Sequence, residues 1–341
     1  MRGSRIERSA RQFIMGGCDV ANAQRQVSAP TTEDLARASA VVRNYLPPTR
    51  LLTLSLGERT VLVKDETSQP TGSFKIRGAL AALHSVQQEG RSSSVLTVSA
   101  GNHGLGIAVA SRLLGIAATI VVPETASPAK VDKLRVSGAT IVQFGQGYEA
   151  AERHALERAE DGNAAFISPY NDPQVIAGQA TLLEELLAQA PTLSRVVVPV
   201  GGGGLLAGTI IGAQGTSVEI VGVQPATNAA LYGALYGLPF HDGVTAADGL
   251  AGDLEPGSVT LAIARAAKTR VVLVDEAAIA RGVVTAQREL GLAIEASAAV
   301  GLAAIDEGLI DANSETVVLL TGRNVATSAL CDLLRRGSQT L

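Results

Sequence analysis

Nine short aliphatic and β-branched runs recur from about residue 60 onward: 60–64, 94–98, 118–123, 140–144, 165–168, 195–200, 219–224, 270–274 and 316–320. Most, such as "RVVVPV" at 195–200, are apolar at nearly every position rather than at alternate ones. That pattern marks strands buried on both faces, hence parallel sheets covered by helices. Amphipathic stretches separate the runs. Ile76, Ala79, Leu80 and Leu83 fall at the spacing of one helical face, and Gly90 stops the pattern. Further helical patterns lie near 104–114, 127–137, 147–160, 173–189, 204–214, 276–290 and 325–335. The alternation predicts an α/β protein with two open, mostly parallel sheet domains flanked by helices. Aromatic residues are only 3% of the chain and Trp is absent. A core of Ala, Val, Leu and Ile suits closely layered helices and sheets. The predicted division is a large domain from 29–92 and 169–341, a small domain at 93–168, and an N-terminal arm, 1–28, outside both.

Other features narrow the function. The net charge of −4 gives no electrostatic reason for a nucleic-acid partner. No apolar run approaches the length of a membrane span. Cys18 and Cys331 are too few and too far apart for a disulfide framework or a zinc site, and read as free thiols of a cytoplasmic protein. Arg2, Arg5, Arg8 and Arg11 give the arm the look of a transit-like segment, a tag remnant or a solvated extension, without the apolar stretch of a secretory signal.

Three loops stand at the carboxyl ends of predicted strands, where open α/β sheets bind ligands. "SAGNHG", 99–104, opens a helix with small residues that bare their amides and adds the side chains of Asn102 and His103. "GGGG", 201–204, opens another. Four glycines cost backbone entropy, which a phosphate cradle of bare amides would justify. No Lys-Ser/Thr follows them and the next strand ends at Gln224, so the loop is neither a nucleotide P-loop nor a dinucleotide fingerprint. "TGRN", 321–324, sets the Thr321 hydroxyl at a strand end, a place that a helix N-cap would equally fill.

The fourth feature is Lys75 in "PTGSFKIRGA". Only five of the 28 basic residues are lysines: Lys64, Lys75, Lys130, Lys133 and Lys268. Lys75 falls on the first turn of a predicted helix, where the dipole opposes its charge. Desolvation and the helix start both favour the neutral amine, the form that condenses with an aldehyde. A reactive lysine, a phosphate cradle, an asparagine loop and a hydroxyl loop together describe a pyridoxal phosphate site.

The stretches "KDETSQPTGSFKIRGA", "SAGNHGLGIAVAS", "YNDPQVIAGQAT", "VPVGGGGLLAG", "TAADGL" and "LLTGRN" resemble the fold-type II pyridoxal-phosphate enzymes, the group of threonine and serine dehydratases and serine racemase. They occur in that family's order and span about 60 to 330. The resemblance implies a fold like that of tryptophan synthase β, pyridoxal 5'-phosphate as cofactor, a small amino-acid substrate and a homodimer. It implies that Lys75 forms the internal aldimine and moves the substrate proton. Phe74 would pack beside the ring, Asn102 would bond the ring hydroxyl, and Gly201, Gly202, Gly203, Gly204 and Leu205 would hold the phosphate. Thr321 would face the ring nitrogen. Ser99, Ala100, Gly101, Asn102 and His103 would surround the substrate carboxylate, and Asn171 would lie near the cofactor. Asp248 and Glu295 match positions near the cleft, one layer back.

A hydroxyl opposite the ring nitrogen leaves the ring largely neutral, a moderate electron sink that suits prompt loss of a β-substituent. The implied activity is an ammonia-lyase that removes water from a β-hydroxy amino acid such as L-threonine or L-serine to give a 2-keto acid and ammonia. The alternatives on this fold are an amino-acid racemase and a β-replacement synthase. Racemases of the family carry a second serine where this chain has Ala100, so the opposite face of the substrate lacks a base. The context "SFKIRGA" lacks the asparagine that follows the lysine in cysteine synthases. Gln224 and Ala230 stand where metal-binding members place carboxylates, so no metal is expected. Leu105 and Arg323 replace a common glutamine and a small residue. Arg323 is near enough to the expected ring site to touch a substrate, and a surface or interface arginine is an equal reading.

Overall fold

The computed structural model describes residues 25–339 apart from 58, 163 and 241. Cys18 and most of the N-terminal arm lie outside the described residues. The chain opens with α1 (Thr32–Tyr45), a hairpin of β1 (Leu51–Leu56) and β2 (Arg59–Asp65), then α2 (Lys75–Gln88). Next come β3 (Ser94–Val98), α3 (Asn102–Leu114), β4 (Ala117–Val122), α4 (Pro128–Arg135), β5 (Thr140–Gln143), α5 (Tyr148–Gly162) and β6 (Ala165–Phe166). The second half contains α6 (Pro173–Gln189), β7 (Arg195–Pro199), α7 (Gly204–Gly212), β8 (Glu219–Pro225), α8 (Ala230–Tyr236), α9 (Val259–Ala266) and β9 (Arg270–Val274). It ends with α10 (Glu276–Leu290), α11 (Ala296–Asp306), β10 (Thr316–Leu320) and α12 (Thr327–Ser338).

The strands form two sheets, a six-stranded one in the order β1-β2-β10-β7-β8-β9 and a four-stranded one in the order β5-β4-β3-β6. Every pairing is parallel except the β1–β2 hairpin. Mixed α/β architecture with two parallel-rich, helix-flanked sheets is therefore what the apolar runs dictate. On the larger sheet, one face packs under α10 and α11 and the other under α6 and α7. On the smaller sheet, α3 and α4 cover one face and α5 the other. Among the described residues no helix is long and apolar enough to cross a membrane.

Five elements are not in the sequence pattern. In β1 the burial is irregular, as fits an antiparallel edge strand. Residues Ala296 to Ile305 of α11 are all buried, so that helix has no polar face and no 3.6-residue period. Short α8 and α9 have too few turns to declare a period, whereas α1 is announced by a capping box between Thr31 and Asp34.

The joint between α2 and α6 positions the site. The helices cross at Gly78 and Gly178, where a Cβ on Gly178 would lie 2.5 Å from the Arg77 carbonyl oxygen and the Gly78 Cα. Arg77 is fully buried there and uses its whole guanidinium. Nε and Nη2 donate to Glu66 at 2.8 Å each, Nη1 and Nη2 donate to Glu185 at 2.7 and 2.9 Å, and Nη1 donates to Thr181 at 3.2 Å. Lys64 Nζ, also buried, donates to Glu185 and Gln189 at 2.8 Å and to the Thr49 carbonyl at 3.0 Å. Burial alone would raise the Glu66 carboxyl, but Arg77 holds its pKa below the ordinary value. Charges this deep require full pairing and hydrogen bonding, and here each cation faces a carboxylate.

Candidate active site

Lys75 is the first residue of α2. The N-cap, Phe74, supplies no side-chain cap. Phe74 N–H donates instead to the Thr321 carbonyl at 3.1 Å, and Ser73 bridges to Gly322, so the helix start is stitched to the loop after β10. Lys75 Nζ donates to the Pro169 carbonyl at 2.8 Å and lies 5.2 Å from the Phe74 ring centroid. Burial lowers its pKa to about 8, with the Glu295 charge pulling the other way. Roughly a tenth of this amine is therefore neutral and nucleophilic at pH 7, where an ordinary lysine is almost wholly charged.

The glycine loop lies next along the same cleft. Gly203 has φ +87°, the left-handed region, and caps α7. Tyr170, the residue after Pro169, lies flat against the loop: a Cβ on Gly202 would meet its ring at 2.5 Å, and one on Gly204 its Cα at 2.9 Å. Tyr170 is clamped in turn, its hydroxyl accepting the Glu255 N–H at 2.7 Å. On the other side Thr260 Oγ1 donates to the Gly202 carbonyl at 2.7 Å. Among the described residues, no acceptor takes the amide hydrogens of Gly202 and Gly203. Bare amides at the start of α7, in a cradle that any side chain would fill, fit an anion such as a phosphate.

Asn102 opens α3 and lies opposite Lys75's helix, since a Cβ on Gly106, one turn further along α3, would lie 3.1 Å from the Lys75 carbonyl oxygen. Asn102 Nδ2 donates to Glu295 Oε1 at 2.8 Å and Oδ1 accepts from Asn324 Nδ2 at 2.6 Å. Glu295 Oε2 accepts the Asn324 N–H at 3.1 Å. Burial, aided by Asp248, raises the Glu295 pKa to about 7, against the pull of Asn102, the Asn324 amide and Lys130. Asn324 Nδ2 also donates to the Thr71 carbonyl at 2.8 Å, and its Oδ1 accepts from Lys133 of α4. Beside this contact Lys130 pairs with Asp248 at 2.6 Å. Thus Glu295 and Asn324 both sit against Asn102 itself. The scarcity of lysine was the available signal for Lys133.

Ser99 Oγ accepts the Gly101 N–H at 3.1 Å, and a Cβ on Gly101 would meet nothing within 4 Å, so this turn is open on its outer side. Ala100 is half-buried. His103 is buried, and neither ring nitrogen has a hydrogen-bond partner. Burial first, then the Lys75 amine, lowers its pKa to about 3 against the nearby Ile167 carbonyl, so the imidazole is neutral. Thr321 is buried at the end of β10, and Leu205 is buried in the first turn of α7. Asn171 stands apart from the Asn102 group. Its Oδ1 accepts the Val259 N–H at 3.0 Å at the start of α9, and its Nδ2 has no partner. Arg323 binds the Gly72 carbonyl through its own N–H at 2.9 Å and sends its side chain to solvent. A surface groove of about 600 Å³ lies elsewhere, between the start of α1 and the edge of β8 and β9.

Residues 43–322 match the family model described as "Pyridoxal-phosphate dependent enzyme". The chain is 37% identical over 285 residues to an L-threonine ammonia-lyase from Geobacter sulfurreducens, covering 81% of this chain and 70% of the relative. It is 33% identical over 321 residues to an L-threonine ammonia-lyase from Thermotoga maritima, covering 90% and 79%. Its fold is similar to that of maize serine racemase, with TM-score 0.82 and 29% identity over 92% of this chain and 99% of the racemase.

Proposed function

The chain belongs to the pyridoxal-phosphate dependent enzyme family, and from that premise we propose that it is an ammonia-lyase. The reaction removes water from a β-hydroxy amino acid such as L-threonine or L-serine and yields a 2-keto acid and ammonia. The observation that carries the reading is the Lys75 amine, poised at a pKa of about 8 beside the Tyr170-backed glycine cradle. In this reading Gly201 to Gly204 and Leu205 hold the cofactor's phosphate through their amides. Asn102 bonds the ring hydroxyl, Phe74 packs beside the ring, Thr321 faces its nitrogen and Lys75 Nζ holds its aldehyde carbon. The bound cofactor draws electrons away from the substrate Cα. Ser99, Gly101 and His103 orient the substrate carboxylate, the neutral imidazole serving as a hydrogen-bond donor and not as an acid. The Lys75 amine would take the proton from Cα. The electron pair left on Cα would form the Cα–Cβ double bond as the C–O bond breaks. The β-hydroxyl would leave with the C–O pair and a proton as water, and hydrolysis of the released enamine would give the keto acid and ammonia.

Racemisation is the second reading, supported by the similarity to maize serine racemase. Half-buried Ala100 speaks against it, because a methyl group cannot return a proton to the opposite face. The same proposal includes a cytoplasmic enzyme acting as a homodimer on a small amino acid. Purified protein loaded with pyridoxal phosphate is incubated with L-threonine and L-serine, and keto acid, ammonia and enantiomer are measured. Equal amounts of keto acid and ammonia support elimination. Formation of the D-enantiomer without ammonia would overturn it.

A further inference from the structure

The polar side chains around Asn102 form a chain with a direction. Lys133 Nζ, which can only donate, bonds Asn324 Oδ1; Asn324 Nδ2 bonds Asn102 Oδ1; Asn102 Nδ2 bonds Glu295 Oε1, and as Oε2 faces the Asn324 N–H both carboxyl oxygens act as acceptors here. A primary amide rotated by half a turn exchanges its donor and acceptor ends. With a donor-only group at one terminus and an acceptor-only group at the other, each amide between them has one consistent orientation. The Asn324 amide is fixed twice over, because its Nδ2 also needs the Thr71 carbonyl as acceptor. The Glu295 carboxylate is fixed by the Asn324 N–H on its second oxygen, a backbone donor that cannot turn round.

We propose that Lys133, Asn324 and Glu295 are positioning residues that set which end of the Asn102 amide is presented to the cofactor. The inference rests on the reading above in which Asn102 bonds the ring hydroxyl. Two of the Asn102 amide's groups are committed, Oδ1 to Asn324 and one N–H to Glu295, and the second N–H remains for the cofactor. Rotating the amide would break both bonds and set oxygen against oxygen at Glu295 and nitrogen against nitrogen at Asn324, a penalty in addition to the lost bonds. Asn102 and Lys133 belong to helices α3 and α4 on the four-stranded sheet. Glu295 and Asn324 come from loops beside the six-stranded one. The relay is therefore whole only with the two sheets' cleft-facing loops in contact, as the Lys130–Asp248 pair also requires.

Glu295→Gln tests the idea. The Asn324 N–H compels the new amide to place its oxygen there, so its NH2 faces Asn102, and Asn102 must turn its oxygen toward it. The expected results are a roughly ten-fold weaker affinity for pyridoxal phosphate, the worth of about one hydrogen bond, and a shifted visible band of the bound cofactor. Lys133→Met, at an exposed site that will not compromise folding, is expected to weaken binding two- to three-fold. Lys133→Arg, also donor-only, is expected to restore it, and Lys133→Met is expected to have no further effect once Glu295→Gln is present. Asn102→Ala separates the premise from the relay. If Asn102→Ala weakens cofactor binding while Glu295→Gln and Lys133→Met keep the wild-type affinity and band, the relay is overturned. If Asn102→Ala itself binds the cofactor like the wild type, the reading of Asn102 falls and the relay with it. If Glu295→Gln fails to fold, the Lys133 pair decides: equal affinity in Met and Arg variants overturns the proposal.

Discussion

Gly202→Ala probes the cradle most sharply. The added Cβ would lie 2.5, 2.6 and 2.7 Å from three atoms of the Tyr170 ring, where about 3.5 Å is needed. The ring must retreat by about 1 Å, and it has little freedom to do so, because its hydroxyl holds the Glu255 N–H at 2.7 Å. Overpacking of this kind costs about 1–3 kcal/mol, and the loosened hydrogen bond adds about 1 kcal/mol. The sum, about 2–4 kcal/mol, predicts a fall in thermal midpoint of about 3–6 °C for a chain of this size. If the loop moves instead of the ring, its amides leave the proposed phosphate position and the loss should appear as a cofactor affinity weaker by roughly ten- to a hundred-fold. Thermal melts at fixed cofactor concentration and equilibrium titration with pyridoxal phosphate measure the two terms separately. Tyr170→Ala removes the obstacle, so the double variant should lose less than the sum of the single variants. An unchanged midpoint together with an unchanged affinity in Gly202→Ala, or strict additivity with Tyr170→Ala, would refute the clamp.

Three further outcomes follow from the buried charges. Arg77→Met leaves Glu66 as an unpaired buried carboxylate and should cost about 3–5 kcal/mol; pairing it with Glu66→Gln should recover part of that in a chemical denaturation series. Lys75 in the cofactor-free protein should capture pyridoxal phosphate at a rate that rises with pH through a midpoint of about 8, as the amine becomes neutral; stopped-flow absorbance checks this, and a midpoint above about 10, the ordinary lysine range, would contradict it. Glu295, with its pKa raised from 4.5 to about 7 by burial, binds its proton more tightly in the folded state. Its contribution to stability is thus fully present below pH 4.5 and lost as pH rises through 7. The difference in thermal midpoint between wild type and Glu295→Gln should narrow or change sign over that window, and a constant difference would refute the assignment.

The legible parts of the fold were those in which one physical rule dominates. Val196, Val197 and Val198 are all buried because β7 has neighbours and helices on every side, so the run is apolar without interruption. Gly203 was readable because its left-handed backbone suits glycine. The same logic explains the silences. A helix buried all round, such as α11, erases the period that reveals helices, and β1 is an edge strand with only one partner. Lysine scarcity marked Lys75, yet it marked Lys133 and Lys64 equally, and only distances across the fold separate the lysine beside the glycine cradle from the one bonded to Asn324 and the one in a buried ion pair. Glu295 and Asn324 lie 193 and 222 residues from Asn102 in the chain. No local pattern links them.

The most direct test is the site of covalent attachment. Protein loaded with pyridoxal phosphate is treated with borohydride, digested and mapped by mass spectrometry. The visible band should disappear and the reduced cofactor should be found on the peptide bearing Lys75, with none fixed in Lys75→Ala. Label on Lys64, Lys130, Lys133 or Lys268, the chain's other lysines, or no label at all, would contradict that assignment.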